Sequence, residues 1–151
     1  MSAPTEIGGF GDELEEFETR GAQVIAVSVD SHFTHLAWKE TPRKAGGIGD
    51  VRYPIISDLT KAISRSYGVL LETQGIALRG LFLIDGEGVL RHMVVNNLSI
   101  GRSIKEAIRV LEALRFVERN GEVCPAGRQP GAPTIKPEPG AAKDFFMRLA
   151  S

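Results

Sequence analysis

Cysteine is almost absent from this chain: Cys124 is the only one among 151 residues. One thiol cannot close a disulfide within the chain, so a fold stapled by disulfides is excluded. A zinc site built on a cluster of cysteines is excluded for the same reason. Cys124 is flanked by Gly121, Pro125 and Gly127 rather than by an apolar run. We expect solvent to reach a thiol in such a segment, so its reactivity matters more than its packing.

Long apolar runs and an excess of charge of either sign are also lacking. No run approaches the roughly 20 apolar residues that a membrane-spanning helix needs, and the N-terminus has no basic segment followed by an apolar one. The formal net charge is −1, which provides no basic field for nucleic acid or for an anionic membrane surface. We therefore expect a cytoplasmic protein that binds neither nucleic acid nor membranes.

What remains is the composition of an ordinary globular domain, with 42% hydrophobic and 25% charged residues. Hydrophobic periodicity predicts the order α-β-α-β-α-β-β-α. Five of the eight prolines follow Phe116, so an extended arm is predicted there, ending in a short helix that contains Phe145 and Phe146. The other predicted elements are a helix from Pro4 to beyond Leu14, a strand over residues 23–29 buried on both faces, helices over residues 32–39 and 60–67, strands over residues 53–57, 78–84 and 89–95, and a helix after Ser103.

Three separated segments carry recognisable motifs. They are Val27-Ser28-Val29-Asp30-Ser31 within residues 27–38, Arg79-Gly80-Leu81-Phe82 within residues 79–85, and Val123-Cys124-Pro125-Ala126-Gly127 within residues 121–127. In this order they resemble a typical two-Cys peroxiredoxin from about Pro4 to the C-terminus. The resemblance implies a thioredoxin-like α/β fold. It assigns residues 1–116 to the peroxiredoxin domain and residues 117–151 to a C-terminal arm that carries a resolving-type cysteine.

The resemblance also implies roles for individual residues. In this family a peroxidatic cysteine opens a helix in the motif Cys-Pro-Thr-Glu, and a resolving cysteine of the partner subunit closes a disulfide with it. This chain has Ala3 at the first position of that motif, so the attacking thiol is missing, whereas Cys124 matches the resolving cysteine. Arg79 matches the arginine that polarises the peroxide, and Glu6 and Arg102 match the groups that hold this arginine. Without the family, a charge at a strand start is the better explanation of Arg79, and Glu6 and Arg102 are explained as charges at helix ends.

Two classes of function follow. The family reduces hydrogen peroxide and alkyl hydroperoxides with electrons from a thioredoxin-type reductant, and it uses no metal or organic cofactor. Because alanine carries no nucleophile, we expect this chain to be inactive alone. The second hypothesis is non-enzymatic: a subunit that joins another peroxiredoxin subunit in a dimer or ring, or a chaperone-like holdase.

The resemblance implies one strand that the sequence does not contain. In the thioredoxin-like fold a central strand leads into the Cys-Pro-Thr-Glu helix and lies between the strands that correspond to residues 23–29 and 78–84. Here the motif stands at the first residues, so we expect an N-terminally truncated chain whose central strand is missing. A fragment, a mis-started gene model, an engineered deletion or a rearranged sheet would each account for this.

Two further features remain from the sequence. His32, His35 and His92 have no cysteine or carboxylate at a convincing metal-ligand spacing, so we expect surface histidines rather than a metal site. Arg128 stands where the family usually has tryptophan after Cys-Pro-Ala-Gly, which leaves open how the arm docks.

Overall fold

The computed structural model describes the backbone of residues 3–149 and the side chains of residues 4–148. The chain divides into two compact units, residues 1–104 and residues 105–151. Within the described range, no helix is long and apolar enough to cross a membrane.

Two consecutive helices open the first unit where the sequence predicts a single one. They are α1 (Ala3–Asp12) and α2 (Leu14–Glu18). Glu13 lies between them with φ −98° and ψ 14°, yet its N–H still donates to the Gly9 carbonyl at 3.2 Å. The buried apolar side chains of this stretch are Ile7, Leu14 and Phe17, and Phe10 packs against the core while partly exposed.

The strands form separate two-stranded sheets. β1 (Ala26–Ser28) pairs in parallel with β2 (Ile55–Ser57). β5 (Arg79–Ile84) pairs antiparallel with β6 (Leu90–Asn96) and forms the predicted hairpin. Among the described residues, no strand pairs with both β1 and β5, the place to which the family resemblance assigns a central strand.

One prediction for the first sheet is wrong: residues 23–29 are not buried on both faces. Ile25 and Val27 are 50% and 44% exposed, whereas Ala26 packs against the hydrophobic core. Ile56, the partner of Val27 in the β1–β2 register, is 40% exposed. A strand is buried on both faces only where other elements cover both sides of the sheet. Here one face of β1 and β2 remains open.

The hydrophobic core of this unit forms around α1. Tyr53 donates its hydroxyl hydrogen to the Ile7 carbonyl at 2.6 Å, and burial raises the pKa of Tyr53 to about 12. Ile48 is fully buried. A Cβ on its neighbour Gly47 would lie 1.9 Å from the Thr41 carbonyl oxygen, so only glycine fits beside it. The buried cluster consists of Ile7, Leu14, Ile48, Val51 and Tyr53.

Arg43 connects the loop that contains Gly47 and Ile48 to α1. It belongs to a short 3-10 helix, Arg43–Ala45. Its Nη1 lies 2.8 and 2.9 Å from the two carboxylate oxygens of Asp12, and its Nε donates to the Ile48 carbonyl at 3.2 Å. One guanidinium therefore bridges the loop and the helix that carries Glu6.

Short-range capping fixes the next two helices. α3 (His32–Glu40) begins after Ser31, whose hydroxyl accepts from the Thr34 N–H at 3.2 Å. The buried Asp58 carboxylate holds α4 (Ala62–Ser66) by accepting from the Ile63 and Ser64 N–H groups at 3.0 and 2.7 Å. Burial alone would raise the pKa of Asp58, but hydrogen bonds from Ser64 and Ile63 outweigh it and lower this pKa. A two-rung hairpin that the sequence did not predict follows, β3 (Leu70–Leu71) with β4 (Ile76–Ala77).

His35 is not a surface residue, contrary to the prediction. It lies on α3 and is 5% exposed, and within residues 4–148 neither ring nitrogen has a hydrogen-bond partner. Its ring centre lies 5.5 Å from that of Trp38. Burial lowers the pKa of His35, so the imidazole is uncharged at neutral pH and packs as an apolar ring would.

The second unit contains most of α5 (Ile104–Asn120) and all of α6 (Pro139–Leu149). The predicted helical arm end is confirmed by α6, which includes Phe145 and Phe146. Between the helices the arm turns back on itself, because Val123 and Ile135 exchange backbone hydrogen bonds of 2.8 and 2.9 Å. The predicted boundary between residues 116 and 117 falls inside α5 and stays a prediction.

Candidate functional site

Three of the predicted site residues lie together in the first unit. Glu6 is in the first turn of α1, Arg79 is the first residue of β5, and Arg102 precedes α5. Glu6 Oε1 accepts from both the main-chain N–H and the Nε of Arg102, each at 2.8 Å. The Nη1 of Arg79 lies 3.8 Å from Glu6 Oε2. We call these three residues the arginine cluster.

Main-chain carbonyls hold the two arginines in place. Arg102 Nη1 donates to the Gly80 carbonyl at 2.7 Å, next to Arg79 in the chain. Arg79 Nε donates to the Leu98 carbonyl at 3.3 Å. These two acceptors were not predicted, because a sequence pattern does not reveal which carbonyl a folded loop presents.

The electrostatics of the cluster favour a charged carboxylate. Glu6 is 6% exposed. Burial alone would raise the pKa of Glu6, but hydrogen bonds and charge from Arg102, together with the charge of Arg79, lower it overall. One carboxylate against two guanidinium groups leaves one net positive charge.

Of the two arginines, Arg79 is the one whose charge Glu6 neutralises less closely. At 3.8 Å, its contact with Glu6 is an ion pair but is too long for a hydrogen bond. Glu6 Oε2 accordingly has no hydrogen-bond partner among the residues that the structure describes. Within the part of the chain that the structure describes, the Nη groups of Arg79 make no hydrogen bond. They remain available to donate to a polar ligand.

Ala3 is the first residue of α1, the helix that presents Glu6. The N-terminal end of a helix carries partial positive charge and favours an anion such as a thiolate. Alanine offers no ionisable group there.

Cys124 lies in the second unit and is half-buried. Its Sγ is 3.9 Å from the Ala113 carbonyl of α5. The preceding residue, Val123, is fixed by its pairing with Ile135. The thiol is thus less accessible than its glycine- and proline-containing context predicted, because the arm folds back along its own helix.

The described part of the chain, residues 4–148, contains no group of three or more His, Cys, Asp or Glu side chains that could hold a metal ion. His35 in particular is enclosed beside Trp38.

Two family models match separate segments of the chain. The model of the AhpC/TSA family matches residues 2–93, which include Glu6 and Arg79. The chain belongs to the AhpC/TSA family. A second family model, the C-terminal domain of 1-Cys peroxiredoxin, matches residues 113–147, the part that includes Cys124. The peroxiredoxin resemblance inferred from three short motifs is confirmed.

Individual relatives are similar along nearly the whole chain. A chloroplastic 2-Cys peroxiredoxin of Hordeum vulgare is 56% identical over 97% of this chain, which spans 70% of that relative. The mitochondrial thioredoxin-dependent peroxide reductase of Rattus norvegicus is 57% identical over 97% of this chain, which spans 57% of that protein. The chain therefore spans little more than half the length of several relatives. The cytoplasmic location expected from the sequence stays a prediction.

Solved structures identify the fold. Reduced 2-Cys peroxiredoxin of Plasmodium vivax superposes with a TM-score of 0.94 at 40% identity, over 97% of this chain and 76% of that chain. AhpC of Enterococcus faecalis gives a TM-score of 0.75 at 34% identity, over 83% of this chain and 74% of that chain. The fold is the thioredoxin-like fold of peroxiredoxins, as the motifs predicted.

Proposed function

We propose that this chain is a peroxiredoxin subunit that does not turn over hydroperoxides alone but supplies Cys124 as a resolving thiol to a second, peroxidatic chain. The observation that carries the proposal is the contrast between an intact arginine cluster and Ala3 at the start of α1. The partner would be another peroxiredoxin subunit, and the electron donor a thioredoxin-type dithiol. The preserved Cys124 motif supports this role.

The reaction divides between the two chains. A thiolate of the partner chain attacks hydrogen peroxide, which breaks the O–O bond and yields a sulfenic acid and hydroxide. The Cys124 thiolate then attacks the sulfenic sulfur, which forms a disulfide between the chains and releases a second hydroxide. A dithiol reductant supplies two electrons and two protons, which returns both thiols and leaves the reductant as a disulfide.

Turnover and crosslinking test the proposal together. We expect the purified chain to consume hydrogen peroxide with thioredoxin at the rate of buffer. We also expect a crosslinked heterodimer when it is mixed under mild peroxide with a full-length 2-Cys peroxiredoxin whose own resolving cysteine is replaced by serine. Non-reducing electrophoresis should show a band that dithiothreitol removes and that the Cys124→Ser variant lacks.

Two results would contradict the proposal. Turnover by the isolated chain that Cys124→Ser abolishes would make Cys124 itself peroxidatic. A mixture in which the partner's sulfenic acid forms, as detected by mass spectrometry, but no heterodimer appears would show that Cys124 does not resolve it.

The open face of β1 and β2 favours a second candidate function, the chaperone-like holdase. Ile25, Val27 and Ile56 are between 40% and 50% exposed there, and the open edge of β1 can pair with an extended chain. The chain should then suppress the thermal aggregation of a client such as citrate synthase at stoichiometric concentration. Light scattering measures this effect.

The holdase hypothesis has a matched pair of variants. Val27→Lys places a charge on the open sheet, so it should weaken the suppression of aggregation severalfold. Phe33→Lys changes an apolar residue that is 72% exposed on α3 rather than in a strand, and should leave the suppression unchanged. Equal effects of both variants, or no suppression by the unmodified chain, would argue against a holdase that uses this sheet.

A further inference from the structure

Arg128 is buried to a degree that is unusual for arginine. It lies four positions after Cys124 and is 8% exposed. Its guanidinium carbon is 4.2 Å from the centre of the Phe116 ring on α5, and its Nε donates to the Ala132 carbonyl at 3.1 Å. Among the described residues it pairs with no carboxylate. The aromatic ring and one carbonyl are therefore its main partners, an arrangement that suits the planar guanidinium.

Arg109 holds the main chain at the same point. Its Nη1 donates to the Arg128 carbonyl at 3.0 Å. Its Nε and Nη2 each lie 2.7 Å from a carboxylate oxygen of Glu106, one turn earlier on α5. This two-pronged contact orients the Arg109 guanidinium. Both the side chain and the main chain of Arg128 are thus attached to α5.

Cys124 is held by the same arrangement. The Arg128 N–H donates to the Pro125 carbonyl at 3.2 Å and closes a turn. Immediately before this turn, the Cys124 Sγ lies 3.9 Å from the Ala113 carbonyl. A thiolate that attacks sulfur on another molecule must approach that sulfur directly. Cys124 is half-buried beside α5, so its approach to such a sulfur is restricted while residues 124–132 stay attached to this helix. Segments held by few contacts open as local units.

We propose that Arg128 is a latch: it holds Cys124 against α5 through the Phe116 ring and the Ala132 carbonyl, and it thereby sets the rate at which this thiol reacts. The proposal rests on the proposed resolving role of Cys124, because it describes the regulation of that same thiol. Arg128 acts through its neighbours and is a positioning residue.

The rate of Cys124 with a small aromatic disulfide tests the latch on the isolated chain. In this exchange the Cys124 thiolate forms a mixed disulfide with dithiobis(nitrobenzoate) and releases one aromatic thiolate, which is followed by absorbance. We expect Arg128→Leu to react about tenfold faster than the unmodified chain, since stacking of this kind contributes roughly 1.4 kcal/mol, a factor of ten. Arg119→Leu is the control: it changes an exposed arginine of α5 and should leave the rate unchanged.

Two further measurements separate a latch from a general loss of stability. In a Phe116→Leu background, Arg128→Leu should accelerate the reaction less than about twofold, because the ring through which it acts is already absent. The urea midpoint of Arg128→Leu should stay close to that of the unmodified chain, since only a local segment is released. An unchanged thiol rate, or an acceleration that only follows a lower midpoint, would overturn the latch.

The latch and the proposed function can fail separately. The small disulfide requires no partner chain, so its rate reports on Arg128 whether or not Cys124 resolves a sulfenic acid. If the heterodimer fails to form but Arg128→Leu still accelerates the exchange, only the resolving role is wrong. If the heterodimer forms and Arg128→Leu changes nothing, only the latch is wrong.

Discussion

An Ala3→Cys variant should consume hydrogen peroxide at least about a hundredfold faster than the unmodified chain, because the chain retains the surroundings that activate such a thiol. Residue 3 opens α1, whose positive end lowers the pKa of a thiol. The same helix carries Glu6, which lies 3.8 Å from the Arg79 guanidinium. Within the described residues the Nη groups of Arg79 make no hydrogen bond, so they can donate to the peroxide oxygen that leaves. A single donor of this kind typically raises the rate constant by a factor of about 10² to 10³.

The rate of peroxide loss measures this gain, and mass spectrometry should find one added oxygen at residue 3. Cys124→Ser is combined with every variant, so that the new thiol is the only one present. Ala3→Ser provides the control, since a hydroxyl at the same position should leave peroxide untouched. Ala3→Cys with Arg79→Met should be about a hundredfold slower than Ala3→Cys alone. If Ala3→Cys is no faster than Cys124 of the unmodified chain, the arginine cluster does not activate a thiol.

Local signals explain why much of the fold could be predicted from the sequence. The β5–β6 hairpin depends on two apolar runs around a glycine-containing turn, and α3 begins at a serine that caps its own helix. Each of these elements is determined by residues close together in the chain. The exposed face of β1 is different, because its burial depends on elements far away in sequence. The sequence of residues 23–29 alone does not reveal that the Val27 side chain faces solvent.

The candidate site also depends on contacts between residues that are far apart in the chain. Glu6 and Arg102 are 96 positions apart, and no periodicity or spacing relates them. From the sequence, only the family motifs predicted that the residues of the arginine cluster belong to one site. Arg128 shows the opposite failure, since the family motif gave no account of an arginine at that position. Its stacking on Phe116 depends on the arm turning back, which involves Val123 and Ile135.

Glu6→Gln should lower the free energy of unfolding by about 3 kcal/mol. The Glu6 carboxylate is 6% exposed and faces two guanidinium groups whose side chains are 18% and 23% exposed. A glutamine keeps the shape and one acceptor oxygen but removes the charge. Two partly buried arginines then lack a counter-charge, and breaking a buried pair in this way typically costs about 3 to 5 kcal/mol. The solvent that reaches both arginines places the expected value at the lower end of that range.

Urea unfolding at neutral pH measures the change, and Glu16→Gln is the matched control. Glu16 pairs with Arg20 at 2.7 Å, but its side chain is 50% exposed, so its loss should cost less than about 1 kcal/mol. A Glu6→Gln effect no larger than the Glu16→Gln effect would show that the buried carboxylate is not what holds the arginine cluster together.

The difference between the unmodified chain and Glu6→Gln should also depend on pH in one direction. The pKa of Glu6 in the folded chain lies below its ordinary value of 4.5, so the folded state binds this proton less readily than the unfolded state. The stabilisation by Glu6 is therefore fully present above pH 4.5, and it is lost as the pH falls from there through the lower folded pKa. Repeating the unfolding experiment between neutral pH and about pH 3 should bring the two stabilities together. A difference that widens on acidification would mean that folding raises the pKa of Glu6, and that burial outweighs the two arginines in the cluster.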